Sequence, residues 1–488
     1  MNCYGKSTDF RGDRLVNLHP LFEPSSVAVV GASKEKGKLG HIALLNVMES
    51  GIRYIYPINP NEKEILGLKC YPSVLDVPAE IDLALICIPA KLVPSAVSQC
   101  VLKGVKAIII FSSGFSELGE EGARLQKQIE EMVAGKEITV LGPNCVGVYN
   151  VTRGYNLTMS PTLRMMRESI KPGSIGFITQ SGAFGVALFT LAVQKGLRLS
   201  KMIHLGNKVF LNDAHILEYL GNDPATNTIV IYMEDIKESR RVLEVLKDVT
   251  KKKPVVAVRV GKTEAGSRAS ASHVGALKSV DALYTALFKQ GGAIRAKSSF
   301  EALDIAMALS LQPPLKGNKI GIITNSGGQG VEITDALCEH GLDVPELSVT
   351  TRNRLLMEKA VPEWGSLSNP VDLGAPAAQT PDWYIKSTKI LLESNEIDGL
   401  IMVVLGAPLD ELTSKLITRT NELFSFKKPI LISAISALKN HDALVKTLIE
   451  KGFPVYMDPQ ITAKCMVALY EYGKYRLRSS LSDVLVKS

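Results

Sequence analysis

Of the seven histidines in the chain, one sits in a setting suited to covalent chemistry. His273 lies in Arg268-Ala269-Ser270-Ala271-Ser272-His273-Val274-Gly275-Ala276, a run of small residues that leaves an imidazole unscreened. Taken alone, that run is also what a loop histidine beside a helix cap looks like. His19, His41, His204, His215, His340 and His441 lie in no motif and read as packing or surface residues. Two other segments point to nucleophilic use of His273. Thr179-Gln180-Ser181-Gly182-Ala183-Phe184-Gly185 reads as a strand end passing into a helix. There Ser181, Gly182 and Ala183 would offer backbone N–H groups and a hydroxyl to an oxyanion. Ile231-Tyr232-Met233-Glu234 puts a carboxylate at the end of the next core strand. A carboxylate beside a histidine fixes its tautomer and raises its basicity, as an attacking imidazole nitrogen requires. Thr179 and Gln180 stand where a G-x-S-x-G elbow needs other residues, which argues against a serine hydrolase.

A second constellation surrounds Gly31-Ala32-Ser33, where a buried strand runs into a turn. Free N–H groups and a helix dipole there favour phosphate. The glycines fall at 31, 37 and 40, which is not G-x-G-x-x-G, and the following strand ends in Pro57-Ile58-Asn59-Pro60 with no acid for a ribose hydroxyl. Both departures oppose an NAD site. Ile88-Pro89-Ala90, Ser112-Ser113-Gly114-Phe115 and Gly142-Pro143-Asn144-Cys145 end further strands of the same block. Loops at the carboxyl ends of parallel strands converge on one crevice, so the pattern is a nucleotide site with room for an extended tail.

The elements that must position these residues are short apolar strands alternating with amphipathic helices. Three blocks each open on a buried strand and a glycine-containing turn: Val27–Val30, Ser174–Thr179 and Lys319–Thr324, the last followed by Asn325-Ser326-Gly327-Gly328. The alternation predicts parallel sheets with helices on both faces, in three doubly wound domains. The expected limits are 20–150, 165–311 and 318–475, with turn-rich boundaries at Asn150–Gly173 and Gln312–Asn318. A length of 488 residues agrees with several cores. Seven cysteines with no CxxC pair argue against a disulfide framework and a zinc site, and for a reducing compartment. The N-terminus lacks the apolar stretch of a signal peptide and no run is long enough to span a membrane, so a cytoplasmic location is expected. A net charge of +7 without aromatic-interleaved basic patches does not suggest nucleic-acid binding.

In order, Gly31-Ala32-Ser33, Asn59-Pro60, Ser113-Gly114-Phe115, Gly142-Pro143-Asn144-Cys145, Ser181-Gly182, Gly206-Asn207-Lys208, Glu234 and Ser272-His273 resemble the α subunits of nucleoside-diphosphate-forming acyl-CoA synthetases, relatives of succinyl-CoA synthetase. The likeness is greatest to ADP-forming acetate–CoA ligases, and covers roughly residues 20 to 470. It implies a Rossmann-like CoA-binding domain followed by two flavodoxin-like domains of the succinyl-CoA-synthetase type. It implies His273 as a phosphohistidine, Glu234 as its orienting carboxylate, and Ser181, Gly182 and Ala183 as the phosphate site. Gly31, Ala32, Ser33, Asn59, Pro60, Ile88, Pro89, Ser113 and Gly114 would line the coenzyme A site, with Asn144 near the thioester. The reaction implied is acyl-CoA + ADP + phosphate = carboxylic acid + ATP + CoA. The chain departs from the family at Val209–Asn212, where acids are usual, and at Val274, usually Thr. No segment is left over for an ATP-grasp module, so a separate β subunit carrying ADP/ATP and Mg²⁺ is expected, in an α₂β₂ assembly. The alternative is a CoA- or nucleotide-sensing module without phosphoryl transfer. Acyl specificity and the choice of ADP over GDP do not follow from the residues.

Overall fold

The computed structural model describes residues 6–8, 15–274, 281–406, 409–435 and 441–487, with side chains described over 16–269, 281–377, 379–406, 409–435 and 441–481. The chain divides at Ser299 into two compact units.

Unit one carries two large sheets, besides the two-stranded pairs Lys6–Thr8 with Leu15–Asn17 and Glu64–Ile65 with Leu68–Lys69. The first is built from β1 (Ser26–Val30), β2 (Tyr54–Ile58), β3 (Leu83–Ile86), β4 (Ala107–Ile110) and β5 (Thr139–Leu141), with α1 (Leu39–Glu49), α2 (Val93–Lys103) and α3 (Glu120–Val133) between them. Residues Ser26–Val30, Leu83–Ile86 and Ala107–Ile110 are buried throughout, because helices cover both faces of the sheet. The five strands are parallel in the order β2-β1-β3-β4-β5. Val30 pairs with both Ile58 and Ile86, so the loops after β1, β2 and β3 leave from one level.

The second sheet follows directly. It comprises β6 (Gly147–Asn150), β7 (Tyr155–Thr158), β8 (Pro172–Thr179), β9 (Leu199–His204), β10 (Thr228–Met233), β11 (Val255–Arg259) and β12 (Ile294–Ala296). Its helices are α4 (Gly182–Gln194), α5 (Asp213–Asn222), α6 (Ser239–Thr250), α7 (Glu264–Val274) and α8 (Asp281–Gly291). The order is β7-β6-β9-β8-β10-β11-β12, with β6 and β7 antiparallel at one edge. The stretch Asn150–Gly173, which the sequence reads as a turn-rich boundary, thus contains an edge strand and a short helix, Pro161–Met165. Phe22 stacks on Tyr219, with ring centroids 4.1 Å apart, within the core that the two sheets share.

Unit two starts in α9 (Ser299–Leu311) and holds a third parallel sheet of β13 (Ile320–Thr324), β14 (Val371–Asp372), β15 (Gly399–Leu405), β16 (Ile430–Ile435) and β17 (Val455–Tyr456). α10 (Gly327–Glu339) follows β13, α11 (Pro381–Glu393) precedes β15, α12 (Thr420–Ser425) precedes β16, and α13 (Pro459–Lys487) closes the chain. The order is β14-β13-β15-β16-β17. In all three large sheets the first parallel strand (β1, β8 or β13) lies between the next two parallel strands, so each sheet has its topological switch point beside the glycine turn that ends that strand.

The six described cysteines are free thiols; Cys70, Cys100, Cys145 and Cys465 are buried and Cys338 is exposed. Burial pushes the Cys100 thiol up to about 12 and raises those of Cys87 and Cys145 further. Among the described residues no helix is long and apolar enough to cross a membrane.

Candidate functional site

At the first switch point Gly31 turns with φ +84° and its N–H donates to the Ile58 carbonyl, 2.9 Å away. A Cβ there would stand 2.6 Å from Ile88 Cγ2 and 2.9 Å from the Cys87 carbonyl oxygen. α1 begins at Leu39 rather than directly after the turn, but it folds back: a Cβ on Gly40 would lie 1.9 Å from the Gly31 carbonyl oxygen. Ala32 is buried beneath the turn, while the Ser33 hydroxyl accepts the Glu35 N–H at 3.1 Å. Asn59 Nδ2 donates to the Ala32 carbonyl at 2.9 Å, tying the end of β2 to the same turn. Ile88 is half-buried, and Pro60, Pro89 and Ser113 are exposed on the rim. Gly114, with φ +109°, comes so close to Ala90 that a Cβ would meet its methyl at 3.0 Å. The nine residues expected to line a nucleotide site therefore all lie in loops at one sheet edge.

At the second switch point Thr179 pairs with Tyr232, which brings Gln180–Gly182 and Glu234 to the same sheet edge. Thr179 Oγ1 donates to the Ser181 carbonyl and accepts the Ser181 N–H, at 2.9 and 3.1 Å, fixing the turn into α4. The Ser181 side chain does not cap the helix, and the first bond along it runs from Gly185 N to Ser181 O. The amides of Gly182, Ala183 and Phe184 thus have no acceptor inside the helix, the ordinary condition of an anion-binding N-terminus. Ala183 is exposed; Glu234 is buried. Burial, and then the neighbouring Glu234 charge, push the Tyr232 hydroxyl up to about 12. His273 falls in the last turn of α7, which leaves the carboxyl end of β11; its side chain lies outside the described residues.

Behind these groups lies a buried polar network that the sequence did not reveal. Gln180 Oε1 accepts the N–H groups of Glu234 and Asp235 at 2.7 and 2.9 Å. Its Nε2 donates to Asp213 Oδ1 at 2.6 Å and to the Asp235 carbonyl at 2.9 Å. Lys208 Nζ pairs with Asp213 at 3.2 Å and with the Asp235 carboxylate. Burial works against the Lys208 charge, but Asp213 and Asp235 outweigh it and hold the ammonium above its ordinary range. His204 completes the support: its Nδ1 accepts the Val146 N–H at 2.8 Å and its Nε2–H donates to the Gln180 carbonyl at 3.1 Å. Burial lowers that imidazole to about 4, so it stays neutral at physiological pH.

The two crevices of unit one meet at Asn144. This residue adopts φ +57°, donates its backbone N–H to the Ser112 carbonyl at 2.9 Å and its side-chain amide to Asn207 Oδ1 at 3.3 Å. Asn207 in turn donates to Glu117 at 2.6 Å and Gln126 at 3.1 Å. Burial disfavours the Glu117 charge, yet the hydrogen bonds from Asn207 and from the Gly114 and Phe115 amides prevail and hold it below the usual carboxylate range. A Cβ on Gly206 would sit 2.1 Å from the Pro143 carbonyl oxygen, so loops 142–145 and 206–208 are locked together. In the departing loop Val209–Asn212, Asn212 serves as the N-cap of α5, its side chain accepting the Ala214 N–H.

Unit two repeats the turn. Thr324 Oγ1 donates to the Ser326 carbonyl and accepts the Ser326 N–H, both at 2.8 Å, and Asn325 exchanges two hydrogen bonds with the backbone of Leu405. Gln180 and Asn325 are thus the same device, a side-chain amide clamping the switch point. Aligning Thr179-Gln180-Ser181-Gly182 with Thr324-Asn325-Ser326-Gly327 is the sequence signal that would have found it.

Comparison with known proteins agrees with this geometry. The family described as CoA binding domain matches residues 25–151, and the succinyl-CoA ligase like flavodoxin domain matches 172–309. The α subunit of acetate–CoA ligase [ADP-forming] I from Pyrococcus furiosus is 38% identical over 473 residues, covering 95% of this chain and 99% of that protein. The acetate–CoA ligase [ADP-forming] I of Archaeoglobus fulgidus is 35% identical; the match covers 96% of this chain but 65% of that longer protein. Among solved structures, the dinucleotide-forming acetyl-coenzyme A synthetase 1 of Ca. Korarchaeum cryptofilum, in complex with phosphate and ADP, superposes with a TM-score of 0.88 at 32% identity. That match covers 96% of this chain and 99% of that one. Kinship with ligases along nearly the whole length favours acyl-CoA synthetase function over a sensing module. With its CoA-binding domain, its ligase-type flavodoxin domain and relatives of matching extent, the chain belongs to the α-subunit family of the ADP-forming acetate–CoA ligases, which are acid–thiol ligases.

Proposed function

We propose that this chain works with an ATP-grasp β subunit to convert acyl-CoA, ADP and phosphate into carboxylic acid, ATP and CoA, with acetyl-CoA as the acyl donor. CoA lies along the first crevice, its phosphates on the Gly31–Ser33 turn and its tail passing Ile88, Pro89, Ser113 and Gly114 toward Asn144. Phosphate rests on Ser181, Gly182 and Ala183 and attacks the thioester carbonyl; the C–S bond breaks and CoA leaves as thiolate. A nitrogen of His273 then attacks phosphorus in the acyl phosphate. The P–O bond to the acyl oxygen breaks, the carboxylate departs, and the phosphohistidine passes its phosphoryl group to ADP on the partner. Glu234 accepts the other imidazole N–H and stabilises the cationic ring as it forms. Mg²⁺ accompanies the nucleotide on the β subunit, in a cytoplasmic α₂β₂ assembly.

The observation that carries this reading is the buried Glu234 carboxylate at the same switch point as the uncapped start of α4. The test is to incubate the chain and its β partner with acetyl-CoA, phosphate and Mg²⁺, without ADP, and to map phosphate under mildly alkaline conditions. Label on His273 that is discharged by ADP is expected. Glu234→Gln should slow its appearance about 10²-fold. Absence of label with every acyl-CoA tried, despite CoA binding, would sink the mechanism.

A further inference from the structure

A cavity without a role in this chemistry lies in unit two, at the opposite edge of the third sheet from the Thr324–Gly327 turn. Its volume is about 980 Å³, and it is walled by residues 311–318, the segment that ends α12, and the middle of α13. Residues 311–318 lead into β13, and Lys427 and Lys428 lead into β16, so this is the amino-terminal edge of the sheet. β13 alone, five residues long, separates the two edges by roughly 13 Å. Substrate crevices of doubly wound sheets open at the carboxyl edge, so ordinary fold logic does not explain this cavity.

Its lining is one-sided in charge. Lys316, Lys427, Lys428, Lys474 and Arg476 contribute to the wall, and no Asp or Glu does. Elsewhere in unit two, half-buried cations hold carboxylates: Lys389 pairs with Glu422 at 2.9 Å and Lys415 with Asp382 at 2.8 Å. Among the described residues Lys316, Lys427, Lys474 and Arg476 make no such ion pair. Lys428 is turned away to cap the Leu392 and Ser394 carbonyls at 2.8 and 2.5 Å. Four cations repelling one another around one concavity are a cost that a multivalent anion would remove.

Apart from Gln312, Asn318 and Ser480, the rest of the wall is apolar or aromatic, with two aromatic side chains. Tyr470 has the Lys474 ammonium 4.5 Å from its ring centroid, and Phe424 is held in place by Phe453, with centroids 4.8 Å apart. The frame is rigid: a Cβ on Gly473 would stand 2.0 Å from the Leu315 carbonyl oxygen, and Gln312 is locked to the Gly452 carbonyl and the Ile430 N–H at 2.5 and 2.8 Å. A volume of this size holds a whole cofactor-sized molecule. Inorganic phosphate would leave the apolar and aromatic surface unused, and a simple fatty acid would leave most of the cations unmatched. We infer that this cavity binds an adenine nucleotide carrying two or more phosphates, its base against the aromatic wall and its phosphates on Lys316, Lys427 and Arg476. ATP, ADP and CoA all carry that chemistry.

The test uses the full chain without its partner, equilibrium dialysis with radiolabelled ATP and, separately, CoA, and the exposed charge reversals Lys427→Glu and Arg476→Glu together. Saturable ATP binding at one site per chain, or a second CoA site besides the first crevice, is expected, weakened about tenfold or more by the double reversal and by Tyr470→Ala, and by added salt. If ATP shows this, ATP is the occupant. If ATP does not bind but CoA loses one of two sites in the same variants, CoA is the occupant. Unchanged CoA binding at the remaining site, together with an unchanged thermal melt, shows that the variants are folded. Absence of both an ATP site and a second CoA site, affinities equal in wild type and variant, or tripolyphosphate competing as tightly as ATP would each overturn the assignment.

Discussion

Lys208 sits 3% exposed between two carboxylates, and Asp213 opposite it is fully buried. Replacing Lys208 with Met would strand the Asp213 charge away from water. We expect a loss of about 3–5 kcal/mol, read as a shift of the urea midpoint. Glu117 gives a pH signature. Its carboxyl lies below the ordinary range when folded, so its contribution is complete above the unfolded value and is lost as pH falls through the folded one. Urea midpoints measured across an acid pH series should therefore decline less steeply in Glu117→Gln than in the wild type. In the sequence Lys208 stood only as part of the Gly206-Asn207-Lys208 motif, without its partners, and Glu117 did not stand out at all. The strand-end placement of Glu234 and Ser181–Ala183 was legible, because a strand end followed by small residues leaves a local trace. Ser116, Glu117, Gln126 and Asn207 come together only through folding: polar residues up to 91 positions apart carry no periodicity that marks them as neighbours.

At the scale of elements, the two Thr-x-Ser-Gly turns separate packing from propensity. A Cβ on Gly185 would meet Thr179 Oγ1 at 2.5 Å, whereas one on Gly330 would meet Thr324 Cγ2 at 3.2 Å, within reach of a small adjustment. Gly185→Ala should destabilise by about 1–3 kcal/mol. Gly330→Ala should be nearly neutral, the gain in helix propensity offsetting the contact. Calorimetry on the two variants checks the contrast. The core strands were legible because parallel strands buried on both faces are continuous apolar runs, as in Ala107–Ile110 and Thr228–Met233. The edge pair β6 and β7 was not. Each has four residues, and Tyr155–Thr158 alternates no more clearly than a loop would. The first helix of the CoA-binding block starts at Leu39, five residues beyond Ser33, and the Gly40 contact brings it back to the turn.

For the whole molecule, the division at Ser299 gives unit two its own sheet and core, so residues 300–488 should fold when expressed alone. A cooperative thermal transition in far-UV circular dichroism is the expected result. Its three-fold use of one strand order was foreseeable from three glycine turns, but the order itself was not, because pairing of strands distant in sequence is set by packing. The burial of the cysteines has a practical consequence for an enzyme whose product is itself a thiol. Cys145 lies directly after Asn144, beside the proposed thioester, and burial keeps its sulfur protonated and enclosed. It therefore neither intercepts an acyl phosphate nor consumes a disulfide dye. A chromogenic thiol reagent added to the working enzyme counts released CoA against a background set, among the described residues, chiefly by exposed Cys338, which a Cys338→Ser substitution removes.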